Sequence, residues 1–187
     1  MMIKINARPR MPRPAKSSAA LFALLSLGAC AATTAQVGAG EAAPSTQSEE
    51  TIAIAVGPCF GFCPVYEASI TPSGTVTFNG QRHTEVLGER TRTSGQGTYR
   101  SLSKALAPYR PTDGTTARVE CTAAITDTSQ FTITWISAAG RETVATHQSG
   151  CAGGPGEGLD KVLDDLPGKL GIADWAKQLT RPDASRG

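Results

Sequence analysis

A chain of 187 residues has room for one ordinary domain with an appended segment, and excludes two large domains. A hydrophobic fraction of 40% supports a core and rules out disorder throughout, while a formal net charge of +2 with 18% charged residues is too mild for a nucleic-acid binder that works by bulk charge. The five cysteines are the odd number out, since an exported disulfide framework uses an even count.

The chain opens with a basic stretch. Lys4, Arg8, Arg10, Arg13 and Lys16 precede any acidic residue, and the short apolar run Leu21–Leu27 follows. This is the order of a secretory signal peptide, whether translation starts at Met1 or Met11. The run is too short for a transmembrane helix, which needs about 20 apolar residues. It ends Leu27-Gly28-Ala29-Cys30, which resembles the lipobox of bacterial lipoproteins. That resemblance implies cleavage after residue 29 and a lipid on Cys30, the alternative being ordinary cleavage a few residues later. The mature chain then carries 13 basic against 16 acidic residues, a net charge of about −3. The expected location is the cell envelope, lipid-anchored on the periplasmic side of the outer membrane.

Residues 31–50 contain one large aliphatic side chain, Val37, and no aromatic. They predict a disordered tether with a span of roughly 25 Å. A single domain is expected over residues 51–180, and a disordered tail over 181–187.

Within that domain, Thr51–Val56 alternates large and small residues and predicts a strand. After a cysteine-containing loop, Val65–Thr71 predicts a second strand, Pro72-Ser73-Gly74 a turn, and Thr75–Phe78 the returning arm of a hairpin. A further strand is expected across Thr84–Thr93, interrupted by Gly88. Tyr99, Leu102, Leu106 and Tyr109 recur at helical steps over Thr98–Tyr109. Phe131–Ile136 is a strong strand signal, and Arg141–His147 returns after the Ala139-Gly140 turn. Leu159, Val162, Leu163 and Leu166 predict a helix ended by Pro167-Gly168, and a last short helix falls around Trp175. Hairpin strands with helices between and after them predict an α+β fold: an antiparallel sheet with two or three helices packed on it.

The densest local motif is Pro58-Cys59-Phe60-Gly61-Phe62-Cys63-Pro64-Val65-Tyr66. Together with the hairpin Ile70–Phe78, Thr126-Asp127, the Gly140 turn and Ala173-Asp174-Trp175, it resembles a bacterial domain-of-unknown-function family of exported proteins and lipoproteins. The resemblance spans residues 51–177. It implies a fold and a compartment, and no activity or catalytic residue.

Three chemistries suit Cys59 and Cys63. A structural disulfide fits an oxidising compartment and the turn at Gly61. A redox pair ordinarily has two intervening residues and opens a helix, whereas here three intervene and a strand follows. Copper bound by Cys59 and Cys63 with His83 or His147 is the remaining alternative. Cys121 and Cys151 flank the second hairpin and are expected to pair with each other. Phe60 and Phe62 are read as core residues, with an exposed contact patch as the alternative, His83 as solvated, and His147 as a surface or edge residue. Glu157 and Asp160 read as first-turn acids that complement a helix dipole, and Asp164-Asp165 as a solvated face. The Gly150–Gly158 stretch lacks the Lys-Ser or Lys-Thr of a phosphate loop and reads as a connector. There is no Gly-x-Ser-x-Gly motif, and two histidines without carboxylate partners in sequence offer no catalytic triad. The expectation is a non-enzymatic protein without cofactor, whose protein or small-molecule partner is not specified by the sequence. The alternative is a thiol-redox or copper-handling protein.

Overall fold

The structure is a computed structural model and describes residues 50–179. The expected signal peptide, Cys30, the expected tether before residue 50 and the expected tail lie outside the described residues.

The centre of the fold is β1 (Thr51–Val56), whose alternation sends Ile52, Ile54 and Val56 to one face, all buried. On one side β1 pairs antiparallel with β2 (Val65–Ile70), which continues through β3 (Thr75–Arg82) to β4 (Gly88–Thr93) as a meander. The chain then forms α1 (Gln96–Leu106), crosses to the far edge as β5 (Thr116–Arg118), and makes the two-residue β6 (Ala123–Ala124). It returns beside β1 as β7 (Gln130–Ile136), followed by β8 (Glu142–Gln148) and the short β9 (Cys151–Ala152). The main sheet has seven strands in the order β4-β3-β2-β1-β7-β8-β5. All its pairings are antiparallel except β5 with β8. A separate two-stranded ladder joins β6 to β9.

Four helices cover one face of the sheet: α1, α2 (Pro155–Asp164), α3 (Leu166–Leu170) and α4 (Ala173–Ala176). Helix α1 contributes Tyr99, Leu102 and Leu106 at steps of three and four; α2 contributes Leu159 and Leu163, and α3 Leu166 and Leu170. They meet Ile52, Ile54, Ala68, Ile70, Val76, Phe78, Ile133 and Trp135 in one core. This is the α+β architecture of an antiparallel sheet with helices packed on it.

The first hairpin turns at Gly74, where φ is +86° and an added Cβ would stand 2.1 Å from the backbone of Gly95. Glycine is required there both by conformation and by the close approach of the segment leading into α1. The start of the domain is tied down as well. Glu50 is buried, its carboxylate accepts a 2.7 Å bond from Arg110, and its carbonyl accepts one from the Tyr99 hydroxyl. The Arg110 guanidinium also lies 5.8 Å above the Trp135 ring.

Several elements depart from the periodicity. The strand predicted over Thr84–Thr93 begins only at Gly88. Residues 83–86 bond instead to the C-terminal segment, with Glu85 N donating to Lys177 O and Val86 N to Trp175 O. Helix α1 tightens into a 3-10 turn at Ala107–Tyr109, around Pro108. The helix predicted through Leu166 breaks at Asp165, because Pro167 in the next turn has no amide proton to continue the ladder. Strand β5 gives no sequence signal: its three exposed residues carry no alternation.

Candidate functional site

Three features of the domain stand out by their chemistry or their shape. The first is the loop from Gly57 to Pro64. Cys59 and Cys63 are joined by a disulfide, with Cα atoms 5.8 Å apart. Gly61 lets the loop fold back with φ +143°, and the Phe60 amide donates to Asp127 O at 3.1 Å. Phe60 is 88% exposed, so it is not the core residue its type predicts, because the tight ring turns it outward. Phe62 is half-buried and packs on the His83 ring with centroids 3.9 Å apart. His83 is therefore not simply solvated: its positive φ of 58° bends the chain back so that the ring lies against the loop. Beside the loop a depression of about 370 Å³ is lined by Cys63, Tyr66, Phe131 and Asp164, among others. Burial pushes the Tyr66 phenol up to about 12.

The second feature lies at the far end of the second hairpin. Cys121 and Cys151 are joined by a disulfide with a Cα separation of 5.4 Å. The β6–β9 ladder, which pairs Ala124 with Cys151, and the bond from Thr122 N to Gly153 O hold the two strands of chain together. His147 stands beside this disulfide. It is fully buried, since the alternation of Thr143, Ala145 and His147 along β8 carries it to the core face, opposite Phe131. Its Nε2 lies 2.7 Å from Asp160 Oδ1 on α2. The other Asp160 oxygen accepts the backbone amides of Gly150 at 3.0 Å and Cys151 at 2.7 Å. Asp160 thus gathers the histidine, the cysteine loop and the helix. Its role is to anchor the loop and ring, beyond any complement to the helix dipole. Glu157 does sit in the first turn of α2. There Lys161 and the Gly153 amide hold its carboxyl below the usual carboxylate range.

His147 Nδ1 is buried and makes no hydrogen bond. The donor atoms of Cys121, His147 and Cys151 lie within 4.8 Å of one another, and this is the His and Cys side-chain cluster found among the described residues. The four residues of the copper alternative therefore do not converge. His147 stands with the second cysteine pair rather than with Cys59 and Cys63, because β8 lies two strands away from β1 and carries it, at the same end of the sheet, beside the Cys121–Cys151 loop. The sequence signal for this was the period-two position of His147 in line with Ala145. Asp160 had no comparable signal, since its three partners are brought to it by tertiary structure.

The third feature is the face of the sheet that no helix covers among the described residues. A shallow depression of about 460 Å³ runs across its middle strands. Its floor is made of small side chains from β1 and β7, including Ala53, Ala55, Thr132 and Thr134, and Glu67, Glu89 and Glu142 also line it. No Lys or Arg contributes to the lining. The depression exists because Ala and Thr alternate with the core residues on the two central strands, so the middle of this face is lower than its margins. Elsewhere on the surface, Asp165 pairs with Lys169 at 3.7 Å on α3. The neighbouring Asp164 carboxyl is raised, chiefly by desolvation and then by the charges of Asp160 and Asp165.

The Cys59–Cys63 loop, the hairpin and the covered sheet lie in a segment that matches a family model described as a domain of unknown function, DUF6438, over residues 50–167. The chain belongs to the DUF6438 family. The matched region begins at Glu50, the first residue tied to the domain by Arg110, and ends at Pro167 in α3. It contains both disulfides and the His147–Asp160 pair. No curated protein matches the chain.

Proposed function

We propose that this DUF6438 protein is a lipid-anchored, periplasmic domain of the cell envelope that acts by binding rather than catalysis, and that the open face of its sheet is the binding surface. The observation that carries the reading is the trough across β1 and β7. It is broad and shallow, floored by Ala and Thr, and bordered by three glutamates with no basic residue in its lining. A surface of that shape and charge suits a cationic partner with an extended form, such as a lysine-rich segment, and lacks the enclosure that excludes water from a reacting bond. The anchoring part rests on the order of basic, apolar and small residues before Cys30, and on cysteine accounting. Two disulfides use four of the five cysteines, and Cys30 is the remaining one.

Binding is tested by calorimetric titration with a tetralysine peptide at low salt. Saturable binding that weakens at least tenfold in the Glu67→Gln/Glu142→Gln double variant supports the assignment. Absence of binding, or binding indifferent to the two substitutions, refutes it. Anchoring is tested by fractionation: Cys30→Ser should move the protein from the membrane to the soluble periplasmic fraction, and unchanged membrane association would exclude a lipid on Cys30.

A further inference from the structure

We propose that Cys121, Cys151 and His147 form a redox-gated binding site for a soft monovalent metal ion, Cu(I), with Asp160 as its positioning residue. The site is separate from the sheet face and independent of what that face binds.

The argument starts from His147. Its ring is fully buried, and the Asp160 carboxylate, itself fixed by two backbone amides, accepts the proton on Nε2. Nδ1 is then left as a buried lone pair with nothing to accept from. Such an unmatched buried group is costly, and a native fold seldom keeps one without a use. A carboxylate on one ring nitrogen with the other nitrogen free is the arrangement that orients a metal-ligating histidine and raises its basicity.

The neighbours of the ring supply the remaining ligands. The two sulfurs and one ring nitrogen of His147 lie within 4.8 Å of one another. The three side chains converge on Gly156 in the first turn of α2. A Cβ there would stand 2.4 Å from Cys151 Sγ, 2.9 Å from Cys121 Sγ and 2.9 Å from His147 Cε1. The missing methyl group leaves the space into which the sulfurs can separate. The amino end of α2 beside them favours thiolate over thiol.

As a disulfide the pair is a poor ligand and the site is closed. Opening takes a two-electron reductant, such as a dithiol. The S–S bond takes two electrons and two protons from the dithiol, which leaves as its own disulfide. Cu(I) then displaces the two thiol protons, forming two Cu–S bonds and one bond to Nδ1. Two thiolates and one imidazole form a soft, three-coordinate set that suits Cu(I). Structural zinc prefers four protein ligands, and the Asp160 carboxylate beside His147 is already committed to His147, Gly150 and Cys151.

The test uses the full chain with Cys30, Cys59 and Cys63 replaced by serine, so that one cysteine pair remains. The protein is reduced with a phosphine under anaerobic conditions and titrated with Cu(I) against a chromogenic chelator, and its fold is checked by circular dichroism. The proposal expects one copper per reduced chain, none per oxidised chain, and two sulfur and one nitrogen scatterers by X-ray absorption. His147→Gln and Asp160→Asn should each weaken binding by about 10- to 100-fold. A folded, reduced chain that binds no stoichiometric copper would overturn it. So would a sulfur-only first shell, zinc binding in preference to copper, or unchanged affinity in a folded His147→Gln variant. Should that variant not fold, the scatterer count in the parent chain decides.

Discussion

Replacing Asp160 by alanine should be among the most damaging single changes on this surface. The carboxylate accepts three hydrogen bonds, from His147 Nε2 at 2.7 Å, Gly150 N at 3.0 Å and Cys151 N at 2.7 Å. Bonds to a charged group contribute about 1.5–3 kcal/mol each, and the two loop amides can recover part of theirs from water. The buried His147 cannot, since no part of it is exposed. The net loss is therefore about 3–4 kcal/mol, short of the sum because the three bonds share one acceptor. With a urea slope of about 2 kcal/mol per molar, the unfolding midpoint falls by roughly 1.5–2 M. Urea titration followed by tryptophan fluorescence reads this directly, provided the slope is unchanged. The reasoning fails if the alanine variant loses less than about 1 kcal/mol, a cost typical of an exposed carboxylate.

Two further outcomes follow from the same structure. The Tyr66 phenol ionises near 10 in the unfolded chain and is pushed up to about 12 in the fold, so its contribution is intact below pH 10 and is lost as pH rises toward 12. The native protein should lose about 2–3 kcal/mol across that interval relative to Tyr66→Phe, and parallel pH profiles for the two proteins would contradict the burial argument. The two disulfides should differ in weight. Opening the Cys59–Cys63 ring by a double serine substitution should cost about 2 kcal/mol, and opening Cys121–Cys151, which closes a loop of about 31 residues, roughly 3.5–4 kcal/mol. An equal loss in the two double variants, measured by urea unfolding, would show that loop closure does not set their stability.

Legibility from sequence followed burial. Ile52, Ile54 and Val56, and Phe131, Ile133 and Trp135, alternate because one side of each strand faces the helices, so both central strands were readable. Strand β4 was hard to place because all six of its residues are exposed and Arg90 and Arg92 occupy the positions where apolar residues would stand. Strand β5 is held by a parallel ladder formed from outside its own sequence, so nothing in Thr116–Arg118 announces it. The candidate site shows the same division. The position of His147 follows from its place in line with Ala145, yet residue type alone argued for the surface. The partnership with Asp160 was unreadable because it links β8 to α2 through two loop amides. Phe60 erred the other way: an aromatic side chain in a five-residue disulfide ring has no face of a regular element to put it inside.

The pairing of β1 with β7 has a kinetic consequence. Thr51 lies opposite Ile136, so the central strand waits for a partner 85 positions later in the chain. At a synthesis rate of about 5–20 residues per second, β1 to β4 emerge as a meander several seconds before β7 exists. Helices α2 and α3, which cover Ile52 and Ile54, come later still. Closure of the core is thus a long-range, late event of high contact order. A chain threading a narrow channel N-terminus first would remain unfolded through most of its passage, which keeps it competent for transport until the last third of the domain has cleared.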